Sequence, residues 1–235
     1  MRALLLAAGL GTRLRPLTHY LPKCLVPIHG KPLLDYWLEN ILDNSVGSVD
    51  SVVINTHHLA RQVENHLRSS KWRKRVTIVR EETLLGTGGT IVKNRRLFQD
   101  EPFLVVHADN LTIFDMHEFA RCHAERKSNI KITMMVFETD APQSCGIVEL
   151  DMDGVVQAFH EKVVNPPGNL ANGAVYIFDP EVIDWMADLN RKMIDISTDV
   201  IPNFVGRIYA YHNIQYHRDI GTFQSWQAAH RDFPG

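Results

Sequence analysis

Between residues 7 and 15 the chain sets two glycines and two arginines at a spacing that suits an anion: Ala7-Ala8-Gly9-Leu10-Gly11-Thr12-Arg13-Leu14-Arg15, followed by Pro16-Leu17-Thr18. Glycines let backbone N–H groups come close to phosphate oxygens and adopt positive φ. Arginines add charge-assisted hydrogen bonds. The dinucleotide fingerprint needs a third glycine where Leu14 stands, and the P-loop needs a Gly-Lys-Ser or Gly-Lys-Thr that does not follow. A plain tight turn between a strand and a helix is the alternative for this segment. Downstream, Lys23 lies in Pro22-Lys23-Cys24-Leu25-Val26-Pro27. Flanking prolines stiffen such a loop and would keep the ammonium aimed.

Further residues could join this chemistry. Glu81-Glu82-Thr83-Leu84-Leu85-Gly86-Thr87-Gly88-Gly89-Thr90 is a second glycine-rich loop that opens a helix, which would again offer backbone N–H groups. Its plainer reading is a turn with Thr87 as helix N-cap. Asp109 stands just beyond an apolar run, where a lone aspartate is often a cap. Glu161-Lys162 alone would read as a surface ion pair. His57, His58, His117 and His123 lack the spacing of a zinc helix motif. Tyr20, Trp37 and Trp226 read as core or rim residues.

The stretch from Leu6 to Pro27 closely resembles the N-terminal signature of sugar-1-phosphate nucleotidyltransferases: Gly-x-Gly-Thr-Arg, Pro-Leu-Thr, then Pro-Lys-x-Leu-x-Pro. The resemblance runs along essentially the whole chain. It implies that the loop of Ala7, Ala8, Gly9, Gly11, Thr12 and Arg13 wraps a nucleoside triphosphate, with Arg13 steadying the leaving pyrophosphate and Lys23 on the reacting phosphates. It also implies Mg²⁺ on Asp109 and Asp219, the latter in Arg218-Asp219-Ile220-Gly221-Thr222. Ala108 replaces the glycine usual before the first aspartate. Mg²⁺ favours a few carboxylates with phosphate oxygens and water, which this pair suits. The two are expected to meet across the sheet.

The Leu-Gly-Thr-Gly-Gly run resembles mannose- and heptose-1-phosphate guanylyltransferases, so Gly86 and Thr87 are expected at the nucleotide. Glu81 stands near the place of a glutamine found in members that use uracil or thymine. A carboxylate only accepts hydrogen bonds, which matches the N1–H and N2–H₂ donors of guanine. GTP is therefore the preferred donor, unless Glu81 faces solvent or pairs with Arg80. On the acceptor side, Cys145-Gly146-Ile147-Val148-Glu149, Glu161-Lys162 and Asn169-Leu170-Ala171-Asn172-Gly173 match the family's sugar-phosphate segments. Gly146 would admit the sugar, Glu161 and Asn172 would bond its hydroxyls, and Lys162 its phosphate. Val163 stands where the family has proline.

These residues need strands and helices to hold them. Residues 2–8, 49–55, 76–80 and 103–107 read as strands; 32–46, 58–69, 88–97 and 115–127 read as helices. That alternation predicts a parallel sheet covered on both faces. Beyond residue 130 the pattern turns to strands at 130–137, 146–150, 155–160 and 174–178, with a hairpin turn at Asp151-Met152-Asp153-Gly154. Short helices are expected after Pro180 and Thr198, a late strand pair at 207–211 and 215–218, and a closing helix at 222–231. The expectation is one α/β domain over 1–235, with a nucleotide half (1–128) and a sugar-phosphate half (129–235). By resemblance it is a Rossmann-like three-layer sandwich of nucleotidyltransferase (GT-A-like) type, with a mostly parallel mixed sheet. Ligands in such sheets sit at the carboxyl ends of strands.

Composition narrows the partners. The chain has 235 residues with 25 Lys plus Arg against 27 Asp plus Glu. Nothing in that balance marks a nucleic-acid binder or an acidic tail. The run Lys71-Trp72-Arg73-Lys74-Arg75 reads as a solvated loop. Cys24, Cys122 and Cys145 are too far apart for a disulfide framework. The apolar start is short and leads into glycines and arginines, so it reads as a buried strand rather than a signal peptide. No apolar stretch is long enough to span a bilayer. The expected location is the cytoplasm, and the expected partners are a nucleoside triphosphate and a sugar 1-phosphate, with no nucleic acid or membrane. A homo-oligomer is compatible with the sequence but not specified by it. With the sequence ending soon after the closing helix, no acyltransferase β-helix domain is expected. Rival readings are uridylyl or thymidylyl transfer to another sugar phosphate, a non-catalytic nucleotide-sugar sensor, and a dinucleotide-dependent oxidoreductase.

Overall fold

The first apolar run becomes a strand buried on both faces, with Ala3, Leu4 and Leu5 fully covered. The computed structural model describes residues 1–43, 48–98 and 101–234. Its strands are β1 (Arg2–Leu6), β2 (Pro27–Ile28), β3 (Lys31–Pro32), β4 (Ser51–Thr56), β5 (Val76–Arg80), β6 (Phe103–His107) and β7 (Asn110–Ile113). They continue as β8 (Ile132–Glu138), β9 (Gly146–Leu150), β10 (Val156–Glu161), β11 (Leu170–Phe178), β12 (Ile208–His212) and β13 (Tyr216–Asp219). The α-helices are α1 (Leu33–Leu38), α2 (Ala60–Ser69), α3 (Gly86–Lys93), α4 (Met116–Ala124), α5 (Pro180–Asp188) and α6 (Phe223–Asp232).

By its internal contacts the chain divides into two compact units. The first holds Met1–Leu84, Val106–Met116 and Gln215–Gly235; the second holds Leu85–Val105 and His117–Ile214. The class is α/β with a mixed sheet. In the first unit β1, β4 and β5 run parallel, with Leu4 opposite Val53 and Ile54 opposite Ile78. In the second, β9 and β10 form the expected antiparallel hairpin, β11 pairs antiparallel with both β8 and β9, and β12 runs parallel to β8. Parallel pairing early and mixed pairing late is what the change of pattern near residue 130 predicts.

Two expectations need correction. The strands near 207–211 and 215–218 do not pair with each other. β12 joins β8, whereas β13 pairs antiparallel with β7, a strand the sequence reading missed. Four residues with turn-like neighbours were too short a signal. The basic run is not uniformly solvated either. Trp72 is buried and donates from its indole to Asp43, while the Arg75 guanidinium caps the carbonyls of Leu42, Val49 and Asp50. The helix expected at 32–46 begins as α1 and continues as a π-turn over Glu39–Asp43; its Val46 end lies outside the described residues.

Candidate active site

One hydrophobic cluster in the first unit carries the candidate residues. Leu14, Val26, Ile28, Leu33, Leu111, Ile220, Ala229 and Phe233 pack together, seven of them at 0–1% exposure and Phe233 at 7%. Several are near neighbours in sequence of a polar candidate: Leu14 follows Arg13, Leu111 lies two residues past Asp109, and Ile220 follows Asp219. Burying the apolar member fixes where its polar neighbour emerges. Pairing of β7 with β13 puts Asp219 opposite Asn110, and the Ile220 N–H donates to the Asp109 carbonyl at 3.1 Å. The two aspartates are thus held side by side at the end of a two-stranded ribbon, where the expectation had them meeting across the sheet. The Trp37 indole donates to the Asn110 carbonyl at 2.8 Å and clamps this ribbon from α1.

Lys23 sits between the aspartates. Its Nζ donates to Asp109 Oδ2 at 2.5 Å and to Asp219 Oδ1 at 3.2 Å, and Arg13 Nη2 reaches Asp219 Oδ2 at 3.5 Å. Asp109 is therefore no mere cap. Burial alone would lower the Lys23 pKa, but Asp109 and Asp219 overcome it and hold the ammonium above its usual range. Burial would likewise push the Asp109 carboxyl up; Lys23 and His107 overcome this and hold it down. Burial, with a smaller contribution from Asp109, pushes the Cys24 thiol up to about 12, so it stays protonated. Lys23 is only 8% exposed and Arg13's side chain 68%, so the lysine is fixed and the arginine is free to meet a ligand.

The loop before them is shaped for this. Gly11 adopts φ 61°, and a Cβ there would fall 2.9 Å from Thr18 Cγ2 and 3.2 Å from Lys23 Cβ. The buried Thr18 hydroxyl donates to the Gly11 carbonyl at 2.7 Å. A Cβ on Gly9 would meet nothing within 4 Å, so its backbone is open to a ligand. Thr12 opens a 3₁₀ turn that carries Arg13, and both are exposed. At the loop's start the Ala7 N–H donates to Asn55 Oδ1 at 2.7 Å, while the Asn55 amide donates to Glu81 Oε1 at 3.0 Å. Glu81 is 3% exposed, so it does not face solvent. Its carboxylate orients Asn55, and Asn55 holds the backbone beside Ala8. His57 Nδ1 lies 2.9 Å from the Glu81 carbonyl and His58 Nε2 the same distance from that of Thr18, so this pair ties loops together. Trp37 is core, Trp226 is half-buried and donates to the Pro27 carbonyl, and Tyr20 is 81% exposed.

The second unit corrects the reading of the Leu-Gly-Thr-Gly-Gly run. α3 begins at Gly86 with Leu85, not Thr87, at its N-cap. The Gly88 and Gly89 N–H groups both donate to the Ile194 carbonyl, at 2.8 and 3.2 Å, so neither is available to a phosphate. The Thr87 hydroxyl accepts from Ile196 N–H at 2.7 Å and donates to Asp195. The glycines exist for close approach: Gly86 has φ 74° against the Ile194 carbonyl, and a Cβ on Gly89 would lie 2.5 Å from the Lys192 carbonyl. Gly89→Ala should therefore cost about 1–3 kcal/mol by overpacking. Thermal unfolding checks this, and an unchanged melting temperature would show the segment to be pliable.

The acceptor-side candidates come together on three adjacent strands. Glu161 on β10 pairs with Gly146 on β9, and Ala171, next to Asn172, pairs with Ile147. A Cβ on Gly146 would run into Phe159 Cζ and fall 2.6 Å from Glu161 Oε2, so this glycine makes room for the ring as well as the carboxylate. Lys162 adopts φ 50°, its N–H donates to the Cys145 carbonyl, and its ammonium meets Glu161 at 2.9 Å. Asn172 accepts from Ala174 N–H at 2.9 Å and donates to Tyr176 Oη at 2.7 Å, across a bulge in β11. Burial pushes the Tyr176 phenol well above its usual range, so it stays protonated.

Residues 2–234 match the family model described as nucleotidyl transferase. The chain belongs to that family. It is 30% identical over 219 residues to a UTP–glucose-1-phosphate uridylyltransferase of Synechocystis, covering 87% of this chain and 55% of that protein. It is 29% identical over 225 residues to a mannose-1-phosphate guanylyltransferase of Mycobacterium tuberculosis, covering 94% and 61%. The chain thus spans less than two thirds of the length of these relatives. The solved structure of HddC from Yersinia pseudotuberculosis with GMP-PN superposes with a TM-score of 0.80 at 25% identity, covering 99% of each chain.

As a nucleotidyl transferase the chain offers a divalent ion two carboxylates. Among the described residues no cluster of three or more His, Cys, Asp or Glu could hold a metal by itself. Two hard oxygen donors are what Mg²⁺ takes when substrate phosphates and water complete its shell, so Asp109 and Asp219 fit. Gly221 keeps the site open, since a Cβ there would fall 2.5 Å from Asp219 Oδ2 and 2.8 Å from Arg13 Nη2. Sequence reading gave no role to Gly221, Thr18 or Asn55. The motif itself signalled Gly221, but nothing in the sequence marked Asn55 as the partner of Ala7, because that contact depends on β1 and β4 being neighbours.

Proposed function

We propose that the protein transfers a nucleoside monophosphate, by preference GMP from GTP, to a sugar 1-phosphate of mannose or heptose type, releasing pyrophosphate. The observation that carries this is the Lys23 ammonium held between Asp109 and Asp219 with Arg13 beside them. An oxygen of the sugar phosphate attacks the α-phosphorus of the triphosphate, and the bond to the pyrophosphate oxygen breaks. The attacking oxygen is already anionic, so no general base is required. Catalysis then consists of positioning and of cancelling negative charge. The open Gly9 backbone and Thr12 receive phosphate oxygens, Arg13 follows the departing pyrophosphate, and Lys23 brings its positive charge to the reacting phosphates. Mg²⁺ bound by Asp109 and Asp219 would polarise the α-phosphate. Lys162, with its exposed ammonium, takes the phosphate of the sugar, and Glu161 and Asn172 take its hydroxyls.

Guanine is favoured by the guanylyltransferase relative, by HddC in complex with GMP-PN, and by a carboxylate at Glu81 where an amide would suit uracil. Because Glu81 is buried against Asn55, base reading there requires the side chain to turn, or to act through Asn55. The uridylyltransferase relative keeps UTP as the second reading. A panel of GTP, UTP and dTTP against mannose, heptose, glucose and N-acetylglucosamine 1-phosphates, followed by pyrophosphate release, separates them. Release with GTP and a mannose-type phosphate is expected. Nucleotide binding without release under any pair would identify a sensor instead.

A further inference from the structure

The outer edge of β5 carries a second feature, independent of the transfer reaction. Together with α2 it bounds a cavity of about 640 Å³. Leu67 from the helix and Val76 and Ile78 from the strand give it an apolar floor. Arg68, Arg73, Lys74 and Arg80 stand around it, with Glu64 the one acid in the lining. All four cations are exposed, and none has an ion-pair partner among the described residues; Arg68 donates only to the Asn65 amide oxygen. Exposed cations elsewhere are mixed: Arg121 pairs with Glu118 and Glu125, Lys127 with Asp153 and Arg191 with Asp199, whereas Arg61 and Arg231 have no ion-pair partner among the described residues; here four unpaired cations line one cavity.

The backbone there is unpaired as well. β5 pairs with β4 on one side, and among the described residues no strand lies on its other side. The ladder is anchored by Val52 N–H to the Arg75 carbonyl and by Glu81 N–H to the Thr56 carbonyl. In a parallel ladder both backbone groups of a residue face the same neighbour. The odd-numbered residues therefore bond to β4, and the N–H and C=O groups of Val76, Ile78 and Arg80 face outward. These are the same residues whose side chains line the cavity.

We propose that this groove takes up an extended acidic polypeptide segment, which adds to β5 as a further strand. The outward backbone groups supply the ladder, and alternate side chains of the incoming segment enter the cavity. A central apolar side chain would rest on Leu67 and Ile78. Carboxylates on either side would meet Arg73 and Lys74 at one end and Arg80 at the other. A second copy of this chain fits poorly, because a symmetric edge pairing brings the same four cations face to face. Cations can also serve merely to keep edges apart, but that role needs neither a cavity nor an apolar floor.

The test uses the whole protein and a fluorescein-labelled synthetic peptide in which threonines alternate with glutamate, valine and glutamate. Fluorescence anisotropy should show saturable binding that weakens as salt is raised. The double variant Arg73→Glu with Lys74→Glu should lower affinity at least tenfold while leaving the circular dichroism and thermal unfolding unchanged. N-methylation of the alternate amides that face β5 should do the same, and methylation of the other amides should not. Absence of binding overturns the proposal. So does equal binding of both methylated peptides, which would mean charge attraction alone. Displacement by stoichiometric pyrophosphate would assign the groove to a small anion. Self-association at this edge in sedimentation experiments would assign it to a second copy.

Discussion

Asp109→Asn will lower the turnover of nucleotidyl transfer by about a thousandfold, the scale expected when a preorganised charge is removed from a site of this kind. The amide keeps the shape of the carboxylate, and its oxygen can still accept from Lys23 Nζ, now 2.5 Å from Asp109 Oδ2. Packing behind it is untouched, because Leu111 and the Ile220 N–H bond to the Asp109 carbonyl belong to the ribbon rather than to the side chain. What disappears is one of the two negative charges proposed for a divalent ion. The variant should therefore fold, melt within a few degrees of the parent, and need far more Mg²⁺ to reach its reduced maximum. Pyrophosphate release measured against Mg²⁺ concentration, beside a melting curve, reads both quantities. Near-normal turnover at ordinary Mg²⁺ would reject the metal assignment.

The arrangement of the first unit's candidate site was legible because its residues come in short stretches that each carry their own anchor. Gly9 to Arg13, Lys23, Asp109 and Asp219 each lie within a few residues of a buried apolar side chain, and those side chains form one cluster. Alternation of apolar and polar residues is visible in sequence, and so the places where polar groups emerge could be expected. The carboxyl end of a strand was likewise the right place to look for Asp109, which follows β6. Short strands were harder. β7 has four residues, and its partner β13 begins more than a hundred positions later, so their pairing had no local signal.

Glycine was the residue most easily misread. Gly11 and Gly86 both have positive φ, and from sequence both sat in glycine-rich loops with backbone N–H groups to offer a nucleotide. Only contacts separate them. Gly11 gives up its side chain to Thr18 and Lys23, which leaves the Gly9 backbone open, whereas Gly86, Gly88 and Gly89 are pressed against Lys192 to Ile194. The second loop's N–H groups were counted as available when two of them were already bonded to a carbonyl more than a hundred residues away. The same limit applies to Glu81. Its type was readable as an acceptor, but its engagement with Asn55 and its burial were not.

Lys23→Met offers the sharpest separation of charge from shape. The methionine fills much of the lysine stem but leaves Asp109 and Asp219 without their shared ammonium; Arg13, at 3.5 Å from Asp219, is the nearer cation that remains to that carboxylate. The variant should lose about 1–3 kcal/mol of stability in EDTA, the cost of leaving a partly covered charge without its partner. For a chain of this size each kcal/mol moves the melting temperature by about 2–4 °C. The loss should depend on pH. With burial overcome by Lys23 and His107, the Asp109 carboxyl is held below its unfolded value, so the stabilisation is present above about pH 4. It is lost below that pH, as pH falls through the depressed folded value and the carboxyl takes up its proton. The gap between parent and variant should thus be widest near neutrality and close on acidification. Millimolar Mg²⁺ should restore much of the variant's melting temperature while raising the parent's less, since the parent already carries a cation between its carboxylates. Turnover should stay at least a hundredfold below the parent even at saturating Mg²⁺, because the fixed positive charge is gone from the transition state. A variant whose stability ignores both pH and Mg²⁺ would mean that Lys23 serves packing alone.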